Sequence, residues 1–247
     1  MKTFSLNCKI PGWGNYKPYQ ELLSFIGIND HIHLWNANLD QPASTIRSLD
    51  SLLSFEEKKR AQRFHFGKHR NRFIVCHGLL RILLSQYVGI EPQRIQIIQG
   101  KKGKPELSGS NKEKNIRFSL SYSINVGLIA VTQGREIGVD IEFKNRFYDY
   151  EEIIENFFSE KEKHLCHYQH ERNKIDSFYL LWTKKEALVK AFGAGLIIPL
   201  SSFNVSLLDS EIVTLPAVEG FFDNKSRWQV NVIDFSTDFK ACWAIEV

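Results

Sequence analysis

The chain has 247 residues, of which 43% are hydrophobic and 24% are charged, and its formal net charge is +4. This composition is typical of a globular protein with a sizeable core, and the small positive charge gives no indication of a nucleic-acid partner. No apolar run approaches the roughly 18 residues of a membrane span, and the N-terminal segment breaks at Pro11 before a secretory signal could form. Its four cysteines are far apart, so we expect a reduced, cytoplasmic protein that binds no membrane.

The first part of the chain predicts a strand, helices and three further strands after a loosely structured lead-in. The lead-in carries a short predicted helix near Glu21–Ile26. Ser54 is the predicted cap of one helix, and the long amphipathic helix after it ends near Gly89. In chain order the predicted elements are HIHLWNANL, the helical pair TIRSLDSLLSFEEKKRAQRF, the helix RNRFIVCHGLLRILLSQYVGI, and the strands RIQIIQG, IRFSLSYS and VGLIAVT. The last two strands form a predicted hairpin around Ile124–Asn125.

After Gly134 the same order begins again. A strand precedes a helix capped by Ser159, a long helix and three strands. These elements are EIGVDIEF, FFSEKEKHLCHY, IDSFYLLWTKKEALVKAF, FNVSLL, RWQVNVIDF and KACWAIEV. Both parts of the chain therefore contain the same predicted order of strands and helices.

The two series keep a nearly constant spacing. Ser54 and Ser159 are 105 positions apart (159 − 54), Phe73 and Phe178 are 105 apart (178 − 73), and His33 and Asp140 are 107 apart (140 − 33). This regularity indicates a duplicated α+β unit whose two halves, residues 1–134 and 135–247, are related by a pseudo-two-fold. Such a chain builds a cleft from its own two halves, so we expect a monomer.

The acidic residues that interest us are confined to the second copy. On this spacing, Asp140 and Glu142 stand where the first copy has His33 and Trp35, and Glu186 and Lys190 stand where it has Arg81 and Ser85. Residues that only fold the repeated unit should tend to match between the copies. Those that differ in charge are therefore candidates for function.

Asp140 and Glu142 alternate along a predicted strand, so both side chains point to one face. Each carboxylate would raise the pKa of the other unless a cation lay between them. Mg²⁺ satisfies this requirement, because it prefers oxygen ligands and commonly binds phosphate as well. The alternative is the solvated face of an edge strand, where most Asp-x-Glu triplets occur.

Glu186 and Lys190 lie one helical turn apart, and a surface ion pair of this kind adds only about 0.3–0.5 kcal/mol. An ordinary surface pair is thus one interpretation. The small residues Ala187, Ala191 and Gly193 on the same segment indicate that something approaches this helix closely. In the second interpretation, the glutamate is a further metal ligand and the lysine reaches a phosphate.

Basic residues elsewhere suit a phosphorylated ligand. Lys104 belongs to a turn made by Gly103 and Pro105, and such a turn can clamp a phosphate. Ser121 and Tyr122 lie near the end of the following strand. A cationic band that includes Arg60 and Arg72 lies in the first half. Most lysine-rich turns and charged helix faces are only solvated, and that alternative stays open here.

Five motifs occur in a fixed order. They are Gly103–Pro105, Phe118–Ser123, Ile137–Glu142, Phe157–Glu162 and Trp182–Leu196. Together they resemble the pattern of the Sfp-type 4′-phosphopantetheinyl transferases, over about residues 45–210. That family is itself a pseudo-dimer of two α+β halves.

The resemblance implies a reaction and a site. Coenzyme A would lie in the cleft between the halves, and its 4′-phosphopantetheine group would pass to a serine of an apo acyl or peptidyl carrier protein, giving the holo carrier protein and adenosine 3′,5′-bisphosphate. The implied roles are Asp140, Glu142 and Glu186 for Mg²⁺ (with Mn²⁺ possible), Lys190, Lys104 and Ser121 for the phosphates, and Arg60 and Arg72 for the nucleotide end. Glu186, directly or through a metal-bound water, would take the proton of the serine.

One position departs from the family pattern, because Tyr122 replaces a histidine that normally helps to hold the 3′-phosphate of the ligand. A phenol donates a hydrogen bond but carries no positive charge near neutral pH. We expect activity to be retained, with weaker or less pH-sensitive binding of coenzyme A. Residues 144–158 are either an ordinary loop and helix start or a docking surface for the carrier protein.

Two other classes of function remain open from the sequence. The chain could be a different Mg²⁺-dependent phosphotransfer enzyme, or a coenzyme A-binding module without activity. The complete set of Asp140, Glu142, Glu186 and Lys190 argues against an inactive module. The carrier protein can belong to fatty acid, polyketide or nonribosomal peptide synthesis.

Overall fold

The computed structural model describes residues 23–29, 32–100, 103–108, 115–145, 149–168, 171–193, 195–217, 225–234 and 236–247. The first half contains β1 (Leu23–Asn29), β2 (Ile32–Asn38), α1 (Ala43–Asp50), α2 (Phe55–Gln62), α3 (Gly67–Val88), β3 (Ile97–Gln99), β4 (Pro105–Leu107), β5 (Ile116–Ser123) and β6 (Val126–Gln133). The second half contains β7 (Ile137–Phe143), α4 (Glu151–Phe157), α5 (Glu160–His167), α6 (Glu171–Phe192), β8 (Ser210–Leu215), β9 (Ser226–Val232) and β10 (Phe239–Glu246).

Each half contributes one antiparallel four-stranded sheet. The strand order is β1-β2-β6-β5 in the first sheet and β7-β10-β9-β8 in the second, and β3 and β4 form a separate hairpin. The run β2-β6-β5 in one sheet matches the run β7-β10-β9 in the other. The predicted α+β fold with two similar halves is therefore confirmed, while the boundary at residues 134 and 135 stays a prediction.

The halves share a core as well as a topology. One apolar cluster belongs to the first half and a second cluster to the second half. A third cluster combines Ile32 and Leu128 of the first sheet with Val139, Ala241 and Trp243 of the second. In the described part of the chain, no helix combines the length and the apolar character needed to cross a membrane.

Two predicted elements are wrong. Residues 23–26, which fall in the helix predicted near Glu21–Ile26, belong to β1, because its backbone pairs with β2 from Leu23 opposite Ala37 to Asn29 opposite Ile32; the start of that predicted helix lies outside the described residues. The strand expected at FNVSLL (203–208) is irregular, and the strand begins later, at Ser210. Side chains satisfy this irregular backbone: Val205 N donates to Glu162 Oε1 and Phe203 O accepts from Lys185 Nζ.

The first half contains a buried cation that joins a helix cap to a turn. Ser54 and Glu57 form a capping box at the start of α2. The Arg81 side chain, which is only 2% exposed, donates to Glu57 Oε2 over 2.6 Å. It also donates to the carbonyl oxygens of Pro92 and Ile95, over 3.0 and 2.9 Å. One buried guanidinium therefore holds three separate segments together.

The second half repeats this arrangement with a lysine. Ser159 and Glu162 form the capping box of α5. Lys185 Nζ lies 2.8 Å from Glu162 Oε2, with both side chains fully buried, and it donates to the carbonyl oxygens of Leu200 and Phe203. The structural equivalent of Arg81 is therefore Lys185, and the predicted match of Arg81 with Glu186 is wrong by one residue.

The spacing between the equivalent strands β2 and β7 also differs from the predicted one. β2 begins at Ile32 and β7 at Ile137, a difference of 105 (137 − 32). Asp140 is therefore equivalent to Trp35, and the predicted match with His33 is wrong by two residues. A shift of two keeps a residue on the same face of a strand, so the inference that the acids belong to the second copy alone still holds.

Helix α6 lies unusually close to β7. A Cβ atom on Gly138 would lie 2.0 Å from the carbonyl oxygen of Ala187 and 2.3 Å from the amide nitrogen of Ala191. Only a glycine in the strand and alanines on the helix leave space for this approach. The small residues seen in the sequence thus set the distance between the helix with Glu186 and Lys190 and the strand with Asp140.

Gly138→Ala should lower the free energy of unfolding by about 3 kcal/mol, because the added methyl group meets backbone atoms that move only with the whole helix. Urea denaturation measures the effect. Gly67→Ala is the matched control, since its Cβ would meet only Arg70 Nη2 at 3.8 Å. Equal stability of Gly138→Ala and the wild type would contradict the close packing of α6 on β7.

Glu57 should make stability depend on pH. Burial opposes its ionisation, but the hydrogen bond from His77, the charge of Arg81 and the bond from Ser54 N lower the pKa of this carboxyl from 4.5 to about 2. A depressed pKa contributes stability above the unfolded value, and this contribution is lost as the pH falls from about 4.5 towards 2. Its size at pH 7 is on the order of 3 kcal/mol.

We therefore expect Glu57→Gln to be less stable than the wild type at pH 7 by about 3 kcal/mol, with a difference that shrinks between about pH 4.5 and 3. Urea unfolding at several pH values measures this convergence. The neighbouring exposed residue provides the control, since Glu56→Gln should follow the wild type throughout. A difference that is constant with pH would show that the Glu57 carboxylate is not the cause.

Candidate active site

A cavity of about 1070 Å³ lies where the two halves meet. Residues of α2, the β3–β4 hairpin and β5 line it from the first half, and residues of α6 line it from the second. Its basic lining residues are Lys59, Arg60, Arg63, His77, Lys104 and Lys190, and its acidic lining residues are Glu56, Glu57 and Glu186. The excess of cationic groups suits an anionic ligand.

Three serines of β5 form the seam between the halves. Ser119, Ser121 and Ser123 alternate along β5, so they share one face, and that face meets β7. Ser119 Oγ accepts from the amide of Val139 over 3.1 Å. Ser121 Oγ donates to Asp140 Oδ1 over 2.8 Å and Ser123 Oγ donates to Glu142 Oε2 over 3.1 Å. β5 and β7 belong to different sheets, so these side chains connect the two sheet edges.

Lys190 joins the same cluster from α6. Its Nζ lies 2.6 Å from Asp140 Oδ1 and 2.9 Å from Ser121 Oγ. The Asp140 side chain is only 2% exposed, whereas that of Lys190 is 32% exposed. Burial would lower the pKa of Lys190, but the ion pair and hydrogen bond with Asp140 outweigh it, so its pKa is raised. The ammonium group is therefore charged at neutral pH.

Glu142 and Glu186 lie close enough to Asp140 for its negative charge to shift their pKa values. Burial and the negative charge of Asp140 raise the pKa of Glu142 to about 7, although Ser123 and Lys190 oppose the shift. Burial and Asp140 likewise raise the pKa of Glu186. The structure therefore brings Asp140, Glu142, Glu186, Ser121 and Lys190 close to one another, and their roles in a site stay predictions.

The carboxylates have the chemistry of a magnesium site. Oδ2 of Asp140 is buried without a hydrogen-bond partner, and oxygen donors that mutually oppose ionisation are the set that a divalent ion stabilises. Among the described residues, however, no three His, Cys, Asp or Glu side chains are arranged so that they could hold an ion. In the described part of the chain, Lys190 is the cation paired with Asp140, and the metal-ligand set stays a prediction.

Lys104 lines the cavity, but its ammonium group is engaged elsewhere. Nζ donates to Glu136 Oε2, to the carbonyl oxygen of Ile137 and to that of Ala191, over 2.7, 2.8 and 2.9 Å. Burial lowers the pKa of Lys104, while Glu136 opposes the shift. An ammonium group has three hydrogens, so these contacts use all of them. Lys104 therefore fastens the turn to the start of β7 and the end of α6.

Arg60 and Arg72 are separated. Arg60 lines the cavity, where its guanidinium lies 5.5 Å from the centre of the Phe73 ring. Arg72 is not among the lining residues. It donates to both carboxylate oxygens of Asp40, over 2.7 and 2.8 Å, and its side chain is largely buried. The structure therefore does not bring Arg72 to the site.

Tyr122 lines the cavity at the position where the family pattern has histidine. Burial and the neighbouring Cys76 raise the pKa of its hydroxyl, while Arg60 opposes the shift. The phenol therefore stays a hydrogen-bond donor at neutral pH.

Three basic lining residues were not predicted as site residues, namely Lys59, Arg63 and His77. The His77 ring stacks on Phe73 with centroids 4.0 Å apart, and its Nδ1 lies 3.3 Å from Glu57 Oε1. The spacing of Lys59 on α2 and Arg63 at its C-terminal cap, four residues apart, could have indicated the first two. His77 carries no such signal, because its orientation depends on the distant Glu57.

Comparison with known proteins agrees with the geometry. The model of the 4′-phosphopantetheinyl transferase superfamily matches residues 136–244, and the model described as 4′-phosphopantetheinyl transferase, N-terminal, matches residues 35–133. The HetI 4′-phosphopantetheinyl transferase of Nostoc sp. is 37% identical over 193 residues, which cover 77% of this chain and 81% of that protein.

Two proteins of Bacillus subtilis are also similar. A 4′-phosphopantetheinyl transferase is 27% identical over 224 residues, which cover 87% of this chain and 96% of that protein. The transferase Sfp is 28% identical over 176 residues, which cover 70% of this chain and 76% of that protein. The chain therefore belongs to the Sfp-type 4′-phosphopantetheinyl transferases, enzymes that transfer the phosphopantetheine group of coenzyme A to a serine of a carrier protein.

Proposed function

We propose that this chain converts apo carrier proteins to their holo form at the seam between its halves. One observation carries the assignment of the site. A buried Asp140 is paired with Lys190 and Ser121, next to two carboxyls of raised pKa, at the edge of a large cationic cavity. Such perturbed groups beside a cavity are typical of active sites.

The cavity suits coenzyme A. Lys59, Arg60 and Arg63 give its first-half wall an excess of cations over Glu56 and Glu57, and His77 adds a ring nitrogen there; charge-assisted hydrogen bonds from Lys and Arg are the strong contacts of phosphates. We assign the nucleotide end of coenzyme A to this wall. Arg72 has no part in the assignment, because Asp40 occupies its guanidinium.

Lys190 is the group that we assign to the diphosphate. Two of its ammonium contacts go to Ser121 and Asp140, which leaves a third hydrogen for a phosphate oxygen. Lys104 we assign to positioning, because it holds the backbone of Ala191 beside Lys190. Ser121 fixes both charged partners and needs no contact with the ligand for this role.

Asp140, Glu142 and Glu186 would hold Mg²⁺, and Mn²⁺ accepts the same oxygen donors. When bound, the ion would neutralise negative charge on the diphosphate. The buried, partnerless Oδ2 of Asp140 supports this assignment.

Glu186 is the base that we assign to the carrier serine. The serine oxygen forms a bond to the β-phosphorus of coenzyme A, the bond from phosphorus to its bridging oxygen breaks, and adenosine 3′,5′-bisphosphate leaves. The proton of the serine passes to Glu186, whose pKa is raised by burial and by Asp140, so that it accepts a proton more readily near neutral pH. Lys190 stabilises the charge that develops on the phosphate oxygens.

A single chain supplies both walls of the cavity, so we propose that the monomer is active. Coenzyme A and reduced thiols fit a cytoplasmic location, and Cys76, Cys166 and Cys242 are free and buried. Carriers of fatty acid, polyketide or nonribosomal peptide synthesis are all candidate partners.

Incubation with coenzyme A, Mg²⁺ and an apo carrier protein should add one phosphopantetheine to the carrier serine, as measured by intact mass. Asp140→Ala and Glu186→Gln should each reduce the rate about a hundredfold or more. The first variant displaces the phosphate from its reactive position, and the second removes the base that accepts the serine proton. Chelation of divalent ions should abolish transfer, and Mg²⁺ should restore it. Glu160→Gln, at a carboxyl that is 85% exposed, is the control.

Other outcomes identify other functions. Cleavage of coenzyme A without a carrier protein would indicate a different phosphotransfer enzyme. Binding of coenzyme A without any product would indicate an inactive binding module. A near-normal rate for a folded Asp140→Ala variant would remove Asp140 from the proposed site.

His77 should compensate for the missing histidine at position 122. Glu57 fixes one ring nitrogen of His77, and the other is available to a phosphate. His77→Gln should raise KM for coenzyme A about tenfold, the worth of one hydrogen bond to a charged group, and should change kcat by less than about twofold. His69→Gln, on the exposed start of α3, is the control. An unchanged KM would place the nucleotide away from His77.

A further inference from the structure

A lysine of the first half caps the C-terminal end of α6. The last four carbonyl groups of a helix have no partner within it, and a cation beside them interacts favourably with the helix dipole. Lys104 Nζ donates to the carbonyl oxygen of Ala191, in the last turn of α6, over 2.9 Å. A Cβ atom on Gly193 would lie 3.2 Å from Lys104 Cδ, so the lysine stem lies against the backbone that follows the helix. Lys104 thus holds the position of the backbone next to Lys190.

The same ammonium group holds the start of β7. It donates to the carbonyl oxygen of Ile137 over 2.8 Å. Ile137 is the first residue of β7, and Asp140 follows it within the same strand. One cation therefore joins the two elements that carry the Asp140–Lys190 pair, at the end of α6 where Lys190 lies.

A largely buried ammonium group needs a negative partner, and Glu136 supplies it. The Lys104 side chain is only 9% exposed, and its Nζ lies 2.7 Å from Glu136 Oε2. Lys104 also lines the cavity. Without the carboxylate, this cation would therefore have an anionic ligand as its alternative partner. Glu136 thus directs Lys104 to the backbone rather than to the ligand.

A second cation fixes the orientation of this carboxylate. Glu136 Oε1 lies 2.7 Å from Arg117 Nε, while Oε2 faces Lys104. Arg117 lies on β5 and shares its face with Ser119 and Ser121, because side chains alternate along a strand. It therefore extends the row of side chains that joins β5 to β7. In the described part of the chain, Lys104 is the partner of Glu136 that donates to the backbone of both β7 and α6.

We propose that Glu136 is a positioning residue for the transfer reaction: acting through Lys104, it holds the end of α6 on the start of β7 and thereby sets the position of Lys190 against Asp140. The inference rests on the proposed function, which places Lys190 on the diphosphate. Lys190 must meet the negative charge that develops there, and small displacements of such a group lower the rate. Because the first-half wall is assigned to the nucleotide, the effect belongs to kcat rather than to KM for coenzyme A.

The test uses the full chain with coenzyme A, Mg²⁺ and an apo carrier protein. Glu136→Gln, which removes the charge and keeps the shape of the side chain, should lower kcat about tenfold and leave KM for coenzyme A within about twofold. Lys104→Met, which keeps the aliphatic stem, should lower kcat to a similar extent. Because both residues act through one contact, the double variant should be no slower than the slower single variant. Thermal unfolding of each variant checks that it is folded at the assay temperature.

Arg117→Gln is the matched control, because it removes an ion pair of the same length from the same carboxylate and leaves Lys104 in place. Its kcat and KM should stay within about twofold of the wild type. An equal loss of kcat in Arg117→Gln, or additive losses in the double variant, would show that Glu136 does not act through Lys104 and would overturn the proposal. A changed KM for coenzyme A at unchanged kcat would also overturn it, since Lys104 would then be a ligand contact.

Two further outcomes separate this inference from the proposed function. Transfer by the wild type together with an unchanged kcat in Glu136→Gln would overturn the positioning role and leave the proposed function standing. Absence of transfer by the wild type would instead overturn the proposed function.

Discussion

The buried carboxylate of Asp140 is the constraint on which the site depends. Removing this charge from water is costly unless a cation and hydrogen-bond donors replace the solvent. Ser121 supplies the donor from the first half and Lys190 supplies the cation from α6. Lys190 can reach Asp140 only because α6 lies against β7, where Gly138 leaves space for its backbone. Burial of the Asp140 carboxylate therefore needs all three residues together: Gly138 of β7, Ser121 of β5 and Lys190 of α6.

The adjacent charges of α6 have different tasks that the sequence does not distinguish. Lys184 and Lys185 are fully buried and hold Glu211 and Glu162, whereas Glu186 and Lys190 line the cavity. Arg81 and Lys185 are equivalent cations that brace the same cap-to-turn contact in each half. The site acid Glu186 is the next residue along α6, so the bracing cation and the site acid lie side by side. The predicted spacing between the two copies was wrong by one residue in this helix, and it therefore matched the structural cation Arg81 with the site acid Glu186.

The sequence predicted those features that depend only on neighbouring residues, such as helix caps and turns. Both serine caps, the end of α3 at Gly89 and the hairpin at Ile124–Asn125 follow from neighbouring residues and are confirmed. The carboxylate cluster was also predictable, because strand alternation and one helical turn fix which side chains share a face. The partners of Lys104 and Arg72 were not, since Ala191 and Asp40 lie 87 and 32 positions away. Strand β1 was likewise missed, because its pairing with β2 overrides the local pattern.

Duplication in one chain permits an asymmetry that two identical subunits would not have. The first half contributes Lys59, Arg60 and Arg63 to the cavity, and the second half contributes Glu186 and Lys190, beside Asp140 and Glu142. In a symmetric dimer every such group would occur twice. Here the excess of cations on the first half can attract an anionic nucleotide, while the carboxyls of the second half can accept a proton and a cation. The boundary between them is the Ser121–Asp140–Lys190 contact, and it is there that a diphosphate would meet both kinds of charge.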